Sequence, residues 1–254
     1  MTGVAGDSRL VRWAGGLAGG AILLVAWEVA GRTEALGSSW LPLTTVLEVY
    51  GDPVMRDLLV RALLTTAGEA ALGYAIGVGL AVVAGSAGVL LPPLRGLIEN
   101  AAAGINSIPW ILLGPLLVLV VPRWIGPVAI AALAVFFAVF VAVSTGLSAA
   151  SRVHQDLLSS LGASRLVRFW RLQLPAAMPE LVDGLRLAAP AALVGAIFGE
   201  WFGADSGLGL LLITSMQNFR IDLLWAAALL GVAASLIAYG GFSLARWAAW
   251  RRFT

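Results

Sequence analysis

Six apolar stretches limit what this chain can fold into, because each is long enough to cross a bilayer as a helix. They cover residues 11–30, 58–87, 94–121, 125–150, 181–202 and 223–244. A helix needs roughly 20 mostly apolar residues to cross the hydrocarbon of a membrane. Hydrophobic residues make up 60% of the chain, whereas soluble globular domains contain about 45–50%. We therefore predict an all-α integral membrane protein with six transmembrane helices, forming a single domain over residues 1–254.

The basic residues predict the orientation of these helices. All 16 are arginines, and most lie near the ends of the apolar stretches. If the N-terminus is cytoplasmic, ten arginines fall on the cytoplasmic side and five on the other. Positive residues are enriched on the cytoplasmic side of membrane proteins, so we expect both termini there. The same rule accounts for the high isoelectric point, and we expect no nucleic-acid partner.

Two kinds of site are excluded by residue types. A phosphate-binding loop ends in Gly-Lys-Ser/Thr and needs its lysine, but the chain contains none. If ATP drives this protein, another polypeptide must bind it. Cysteine is also absent, and the sole histidine, His154, has no visible partners for a metal or a catalytic pair. We therefore expect no metal site, no catalytic residue and no enzymatic activity in this chain.

Polar residues within the apolar stretches are candidate functional residues, because ionisable groups there are costly. Glu69 lies near mid-membrane in the second stretch, where it either lines an aqueous path or pairs inside the bundle, or is a neutral structural acid. Asn106 precedes Pro109, which with Pro115 interrupts the third stretch. Glu200 ends the fifth, and we expect it to be hydrated at the outer interface, as a gate or docking contact.

A polar segment, Gln155–Pro179, separates the fourth and fifth stretches. Its first part places Leu157, Leu158 and Leu161 on one face of a short helix, which Gly162 ends or bends. Behind it, arginines recur every third residue beside two aromatic residues, as in an interfacial helix whose aromatic side chains reach the acyl chains. We expect two prolines to redirect the chain into the membrane. The residues of this second part are Arg165, Arg168, Phe169, Trp170, Arg171, Pro175 and Pro179. The physical pattern fits a passive interfacial loop and a protein-docking loop equally well.

Glycines spaced four residues apart give some stretches a face of small residues. Gly73 and Gly77 form one such face, and Gly195, Gly199 and Gly203 form another. These faces allow close approach of a second helix, either within one subunit or from a second subunit.

The polar segment resembles a known motif. Gly162, nine residues, Leu172, one residue and Leu174-Pro175 match the cytoplasmic motif of binding-protein-dependent ABC importer permeases. Further short segments of the chain resemble one branch of this family, whose members import sulfonates, taurine, nitrate, bicarbonate and pyrimidine precursors of thiamine. These are Gly162-Ala163-Ser164-Arg165, Leu174 to Pro179, Gly184 to Ala188, Glu200, Gly207-Leu208-Gly209, Leu41-Pro42, Ser107-Ile108-Pro109, Pro115-Leu116 and Thr145-Gly146.

The resemblance implies a permease subunit in the bacterial inner membrane, which works with a second, identical or homologous permease and an ABC ATPase dimer that binds ATP and Mg. It also implies an extracytoplasmic solute-binding protein or lipoprotein that delivers a small solute. The ATPase-docking residues would be Asp156, Leu157, Leu158, Leu161, Gly162 and Arg165, in a coupling segment over about 152–176. Glu69, Asn106 and Trp110 would line the translocation path.

This sequence departs from the family in two respects. The usual Glu-Ala-Ala reads Asp156-Leu157-Leu158, which implies a matching change in the ATPase groove. Glu69 and Asn106 stand where relatives often carry arginine, which weakens the inference of an anionic substrate and favours pairing with a non-identical permease. The alternative function is an ATP-independent secondary transporter or channel, which would need mid-membrane ion sites and usually an internal repeat.

Overall fold

The computed structural model describes the backbone of residues 4–250, and the side chains in this range except those of residues 4–14, 17, 110, 111 and 245–250. All regular structure within the described range is helical. The helices are α1 Val4–Arg32, α2 Leu43–Glu48, α3 Pro53–Leu90, α4 Pro92–Asn106, α5 Trp110–Val120, α6 Ile125–Ser148, α7 Arg152–Ser160, α8 Arg165–Arg168, α9 Leu174–Glu200, α10 Leu208–Gln217 and α11 Ile221–Trp250. A 3₁₀ turn, Val49–Gly51, follows α2, and a π-helical turn, Phe169–Gln173, joins α8 to α9.

Four helical segments in the described part of the chain are long and apolar enough to cross a membrane. They are Pro53–Leu90, Ile125–Ser148, Arg165–Glu200 and Ile221–Leu244. They contain most of the second, fourth, fifth and sixth predicted stretches. The first predicted stretch falls in α1, and the side chains of residues 11–14 and 17 lie outside the described residues.

The third predicted stretch is two shorter helices rather than one span. α4 ends at Asn106, and Pro109 has extended backbone with φ −62° and ψ 116° before α5 begins. Proline disfavours helical conformation in the residue before it and lacks an N–H donor, so the predicted break at Pro109 is confirmed. Pro115 lies inside α5 and does not end it.

The core forms where α3 and α9 pack against α6. A Cβ on Gly73 of α3 would lie 2.5 Å from the Cβ of Ala131 in α6, and one on Gly195 of α9 would lie 2.8 Å from the Ala131 Cα. Gly77 and Gly199 contact the α6 backbone in the same way. Four of the five small residues in the predicted faces therefore serve helix packing within this subunit.

A second apolar cluster lies at the other end of α3, between α2, α10 and α11. Val46, Leu59 and Leu208 are fully or almost fully buried there. The Tyr50 hydroxyl donates a 2.6 Å hydrogen bond to the Ala226 carbonyl, and this ties the turn after α2 to α11. This cluster supports the corner where α10 follows α9.

Candidate functional site

Helix α7 stands outside the apolar spans and presents an apolar stripe. None of its residues is buried. Val153, Leu157 and Leu161 follow one another at intervals of four residues, and their exposed fractions are 74%, 55% and 74%. Residues at this spacing share one helix face. Leu158 is half-buried, so it faces its own chain more than the other predicted docking residues do.

The turn after α7 has the geometry that the sequence predicted at Gly162. The Ala163 N–H donates to the Leu158 carbonyl over 2.9 Å, and the Gly162 N–H donates to the Ser159 carbonyl over 3.0 Å. These two bonds form a Schellman motif, in which the residue after the helix adopts a left-handed conformation. Gly162 has φ +79°, which costs glycine little because it has no Cβ. The prediction that Gly162 ends the helix is confirmed.

Two side-chain contacts attach α7 to the rest of the chain. At its start, Gln155 Nε2 donates to the Ala150 carbonyl over 2.9 Å. At its end, the Arg168 guanidinium donates to the hydroxyl of Ser159. The sequence pattern drew attention to the arginines, but it did not show that one of them contacts the end of α7. Asp156 and Arg165 are exposed near the same turn.

In the residues that follow Gly162, the structure differs from the sequence prediction. Pro175 and Pro179 do not redirect the chain, because the helix continues from Arg165 to Glu200 through the π-helical turn. Pro175 lies in the first turn of α9, where a missing N–H costs little. Phe169 is buried within the protein at 4% exposure, so the prediction that it reaches the acyl chains is wrong, while Trp170 is exposed.

Glu200 lies at the centre of a buried corner between α3, α9 and α10. Its exposed fraction is 0%, so the prediction of a hydrated outer-interface acid is wrong. One carboxylate oxygen accepts a 2.6 Å hydrogen bond from the Thr66 hydroxyl, and the other accepts from the Gly209 N–H. Thr66 Oγ1 in turn accepts from the Leu208 N–H over 2.8 Å. The chain after α9 folds α10 back over the carboxylate, a relationship that local sequence does not reveal.

Glu69 lies one turn along α3 from Thr66, and its carboxyl lies against that of Glu200. It is half-buried, and its Oε2 atom is buried without a hydrogen-bond donor among the described residues. The structure therefore places Glu69 beside a second acid inside the bundle. Sequence reasoning missed Thr66, although its position three residues before Glu69 puts both on one helix face.

The other predicted path residues lie at the break between α4 and α5. Asn106 is exposed at the end of α4, on a surface that also carries Glu99, Asn100 and Ser107. The side chain of Trp110 lies outside the described residues. No hydrogen bond or ion pair between described residues joins Asn106 to Glu69, and their shared role in a translocation path stays a prediction.

The described residues include no group of three or more histidines, cysteines or acids that could hold a metal ion. Their arrangement includes an exposed helix with an apolar stripe, a broken helix with a polar surface, and a buried acidic corner that holds three helices together.

Comparisons with known proteins agree with this arrangement. Residues 77–249 match the family described as "Binding-protein-dependent transport system inner membrane component". The formylaminopyrimidine transport permease protein ThiX of Halalkalibacterium halodurans is 33% identical over 209 residues, which cover 78% of this chain and 79% of the relative. The taurine transport system permease protein TauC of Escherichia coli is 25% identical over 246 residues, covering 89% and 85%.

Solved structures show the same fold. The MetNI methionine ABC transporter, in an inward-facing conformation, aligns with a TM-score of 0.67 at 17% identity, covering 78% of this chain and 98% of that chain. An amino acid ABC transporter aligns with a TM-score of 0.61 at 17% identity, covering 78% and 94%. The chain therefore belongs to the family of binding-protein-dependent inner membrane components, the membrane-spanning subunits of ATP-driven ABC importers.

Proposed function

We propose that α7 docks in a groove of a separate ABC ATPase and transmits its movement to the transmembrane helices. The observation that carries this proposal is the exposed stripe of Val153, Leu157 and Leu161 on a helix outside the spans. Apolar side chains in such a position are stabilised by contact with a protein groove. ATP and Mg would be bound by that partner, since this chain has no lysine for a phosphate-binding loop.

The attachments of α7 support a mechanical role. The Schellman turn, the Gln155 contact and the Arg168 contact hold the helix at both ends. A push on α7 then reaches the continuous helix Arg165–Glu200, whose far end is locked to α3 and α10 by Glu200. Rigid helices joined in this way can pass a displacement to a gate that has two arrangements.

The polar surface of α4 and the break before α5 support a translocation path there. Asn100 and Asn106 are exposed on α4, in a chain that is otherwise largely apolar. Lipid would leave such groups without hydrogen-bond partners, whereas an aqueous path would satisfy them. We infer that a second permease, identical or homologous, encloses the path with this surface, and that Asn106 and Trp110 face it.

The arginine distribution supports cytoplasmic termini, which puts α7 on the cytoplasmic side with the ATPase. The opposite side would receive a solute from an extracytoplasmic binding protein. The relative with 33% identity is named for formylaminopyrimidine transport, while those named for taurine and aliphatic sulfonates are 22–25% identical. Together with the neutral side chain of Asn106, this favours a small nitrogen heterocycle over an anion as substrate.

Affinity purification of the tagged chain from its native membranes tests the docking proposal. We expect an ABC ATPase to co-purify in about equal amount with the wild type, and to be lost from Leu157→Asp, because a buried unpaired carboxylate is costly. Leu36→Asp is the control, since Leu36 is an exposed apolar residue in the loop after α1. Retention of the ATPase by Leu157→Asp would contradict the docking site, and uptake into liposomes by this chain alone without ATP would contradict the importer mechanism.

A further inference from the structure

A polar cleft lies beside the start of α7, where the turn between α3 and α4 meets the end of α6. One part of it has a volume of about 380 Å³ and is lined by Arg95, Ser148, Arg152, Gln155 and Gln173, with four apolar or glycine neighbours. An adjoining part of about 490 Å³ shares Arg95 and Ser148 and adds Glu99, Ser144 and Thr145. The docking residues and the acidic corner do not line either part.

The cleft has an excess of positive charge. Arg95 pairs through Nε with Glu99 one turn along α4, at 2.8 Å, which leaves its terminal nitrogens available. Arg152 forms no ion pair or side-chain hydrogen bond with the described residues. Among the residues that line the cleft, two guanidinium groups therefore stand against one carboxylate. Gln155 uses one hydrogen of its amide on the Ala150 carbonyl and keeps the other.

We propose that this cleft binds a phosphate-type anion, held between Arg95 and Arg152. Guanidinium groups form paired hydrogen bonds to phosphate oxygens, and such charge-assisted bonds are stronger than neutral ones. The remaining amide hydrogen of Gln155 and the amide of Gln173 add donors. The side chain of Ser151 does not cap the N-terminus of α7, so this helix end adds a further favourable dipole.

The source of the phosphate is either a lipid headgroup or a soluble phosphate. The cleft lies at the end of α3 and α6, two helices of membrane-spanning length. The ends of such helices lie at the depth of the lipid headgroups. In either case the ligand would bridge the α3–α4 turn, the start of α7 and Gln173 ahead of α9. Its binding would hold the docking helix in a defined position against the spans. This site goes beyond the import function and does not depend on which partner binds α7.

The test measures anion binding by the purified full-length chain in two arms. In the lipid arm, the chain is placed in nanodiscs of phosphatidylcholine with or without phosphatidylglycerol, and retained phosphatidylglycerol is counted by native mass spectrometry. In the phosphate arm, inorganic phosphate is titrated into delipidated protein and thermal stabilisation is recorded. We expect saturable binding in at least one arm, and the arm that responds identifies the source.

Arg152→Gln should weaken that binding by about tenfold, the loss expected for one charge-assisted hydrogen bond. Arg152→Gln removes no ion pair among the described residues, so the variant protein should fold normally. The double variant Arg95→Gln/Arg152→Gln should abolish binding. Arg61→Gln is the control, because Arg61 also pairs with an acid one turn away, Asp57, at 2.7 Å, but lies far along α3. Equal binding by wild type and Arg152→Gln in both arms, or an equal loss in Arg61→Gln, would overturn the proposal.

Discussion

The hydroxyl of Thr66 donates a 2.6 Å hydrogen bond to the carboxylate of Glu200, and both side chains have an exposed fraction of 0%. This contact joins the middle of α3 to the end of α9. Because Thr66 also accepts from the backbone of Leu208, one hydroxyl links three helices. The acid that ends the helical run Arg165–Glu200 is therefore a structural anchor of the corner where the chain turns back.

Thr66→Val should destabilise the protein. Valine matches the shape of threonine but leaves a Glu200 oxygen and the Leu208 N–H unpaired in a buried position, at a cost of about 2–4 kcal/mol. Thermal unfolding in detergent measures the loss. Thr65→Val is the matched control, since Thr65 is only half-buried and its hydroxyl bonds, to the Arg61 carbonyl and from the exposed Ser206 hydroxyl, can be replaced by water. Equal losses for the two variants would contradict the anchoring role of Thr66.

Gly209→Ala should prevent the corner from closing. A Cβ on Gly209 would overlap the Ile197 carbonyl oxygen and come within 2.9 Å of the Glu200 carboxylate, and backbone atoms cannot move aside at low cost. We expect reduced yield of folded protein by size-exclusion chromatography. Gly79→Ala is the control, because nothing lies within 4 Å of a Cβ at this position. Alanine favours a helix over glycine by about 1 kcal/mol, so this variant should fold with a normal yield. A normal yield of folded Gly209→Ala would show that the corner has room for a side chain at this position, and would contradict the prediction.

Gly162→Val should uncouple ATP hydrolysis from transport while leaving membrane insertion intact. The position needs φ +79°, which costs a residue with a Cβ about 1–2 kcal/mol and a β-branched residue more. A Cβ there meets no atom of the other described residues within 4 Å, so we attribute the effect to strain of the backbone. Gly162→Asn, which tolerates this conformation, should retain coupling. The measurement is solute-stimulated ATPase activity of the reconstituted complex, and normal stimulation in Gly162→Val would refute the prediction.

Arg168→Gln should weaken coupling by releasing the end of α7 from α8. Arg168 holds Ser159, so Arg168→Gln, Ser159→Ala and the double variant should reduce transport by similar amounts. Non-additivity of this kind identifies residues that act through one contact. Arg171→Gln controls for loss of charge, because Arg171 is exposed one turn further on. Additive losses in the double variant, or an equal effect of Arg171→Gln, would indicate independent roles.

The glycine faces of α3 and α9 show what the spacing of residues can predict about helix packing and what it leaves open. Gly73 and Gly195 were recognisable from their four-residue spacing with other glycines, yet the spacing left two partners open, a helix of the same chain or a second subunit. The structure brings both residues to Ala131 of α6. Helix periodicity defines which residues share a face, but not which helix that face meets.

The sequence alone determined the class of protein, the break at Pro109 and the end of α7 at Gly162. These features depend on properties of short segments: apolar length, a missing N–H and the conformational freedom of glycine. Only the tertiary structure decided that Glu200 is buried, that Pro175 lies within a continuous helix and that Arg168 supports α7. Each of these depends on segments distant along the chain or on the path of the backbone in space, which no local pattern of residues encodes.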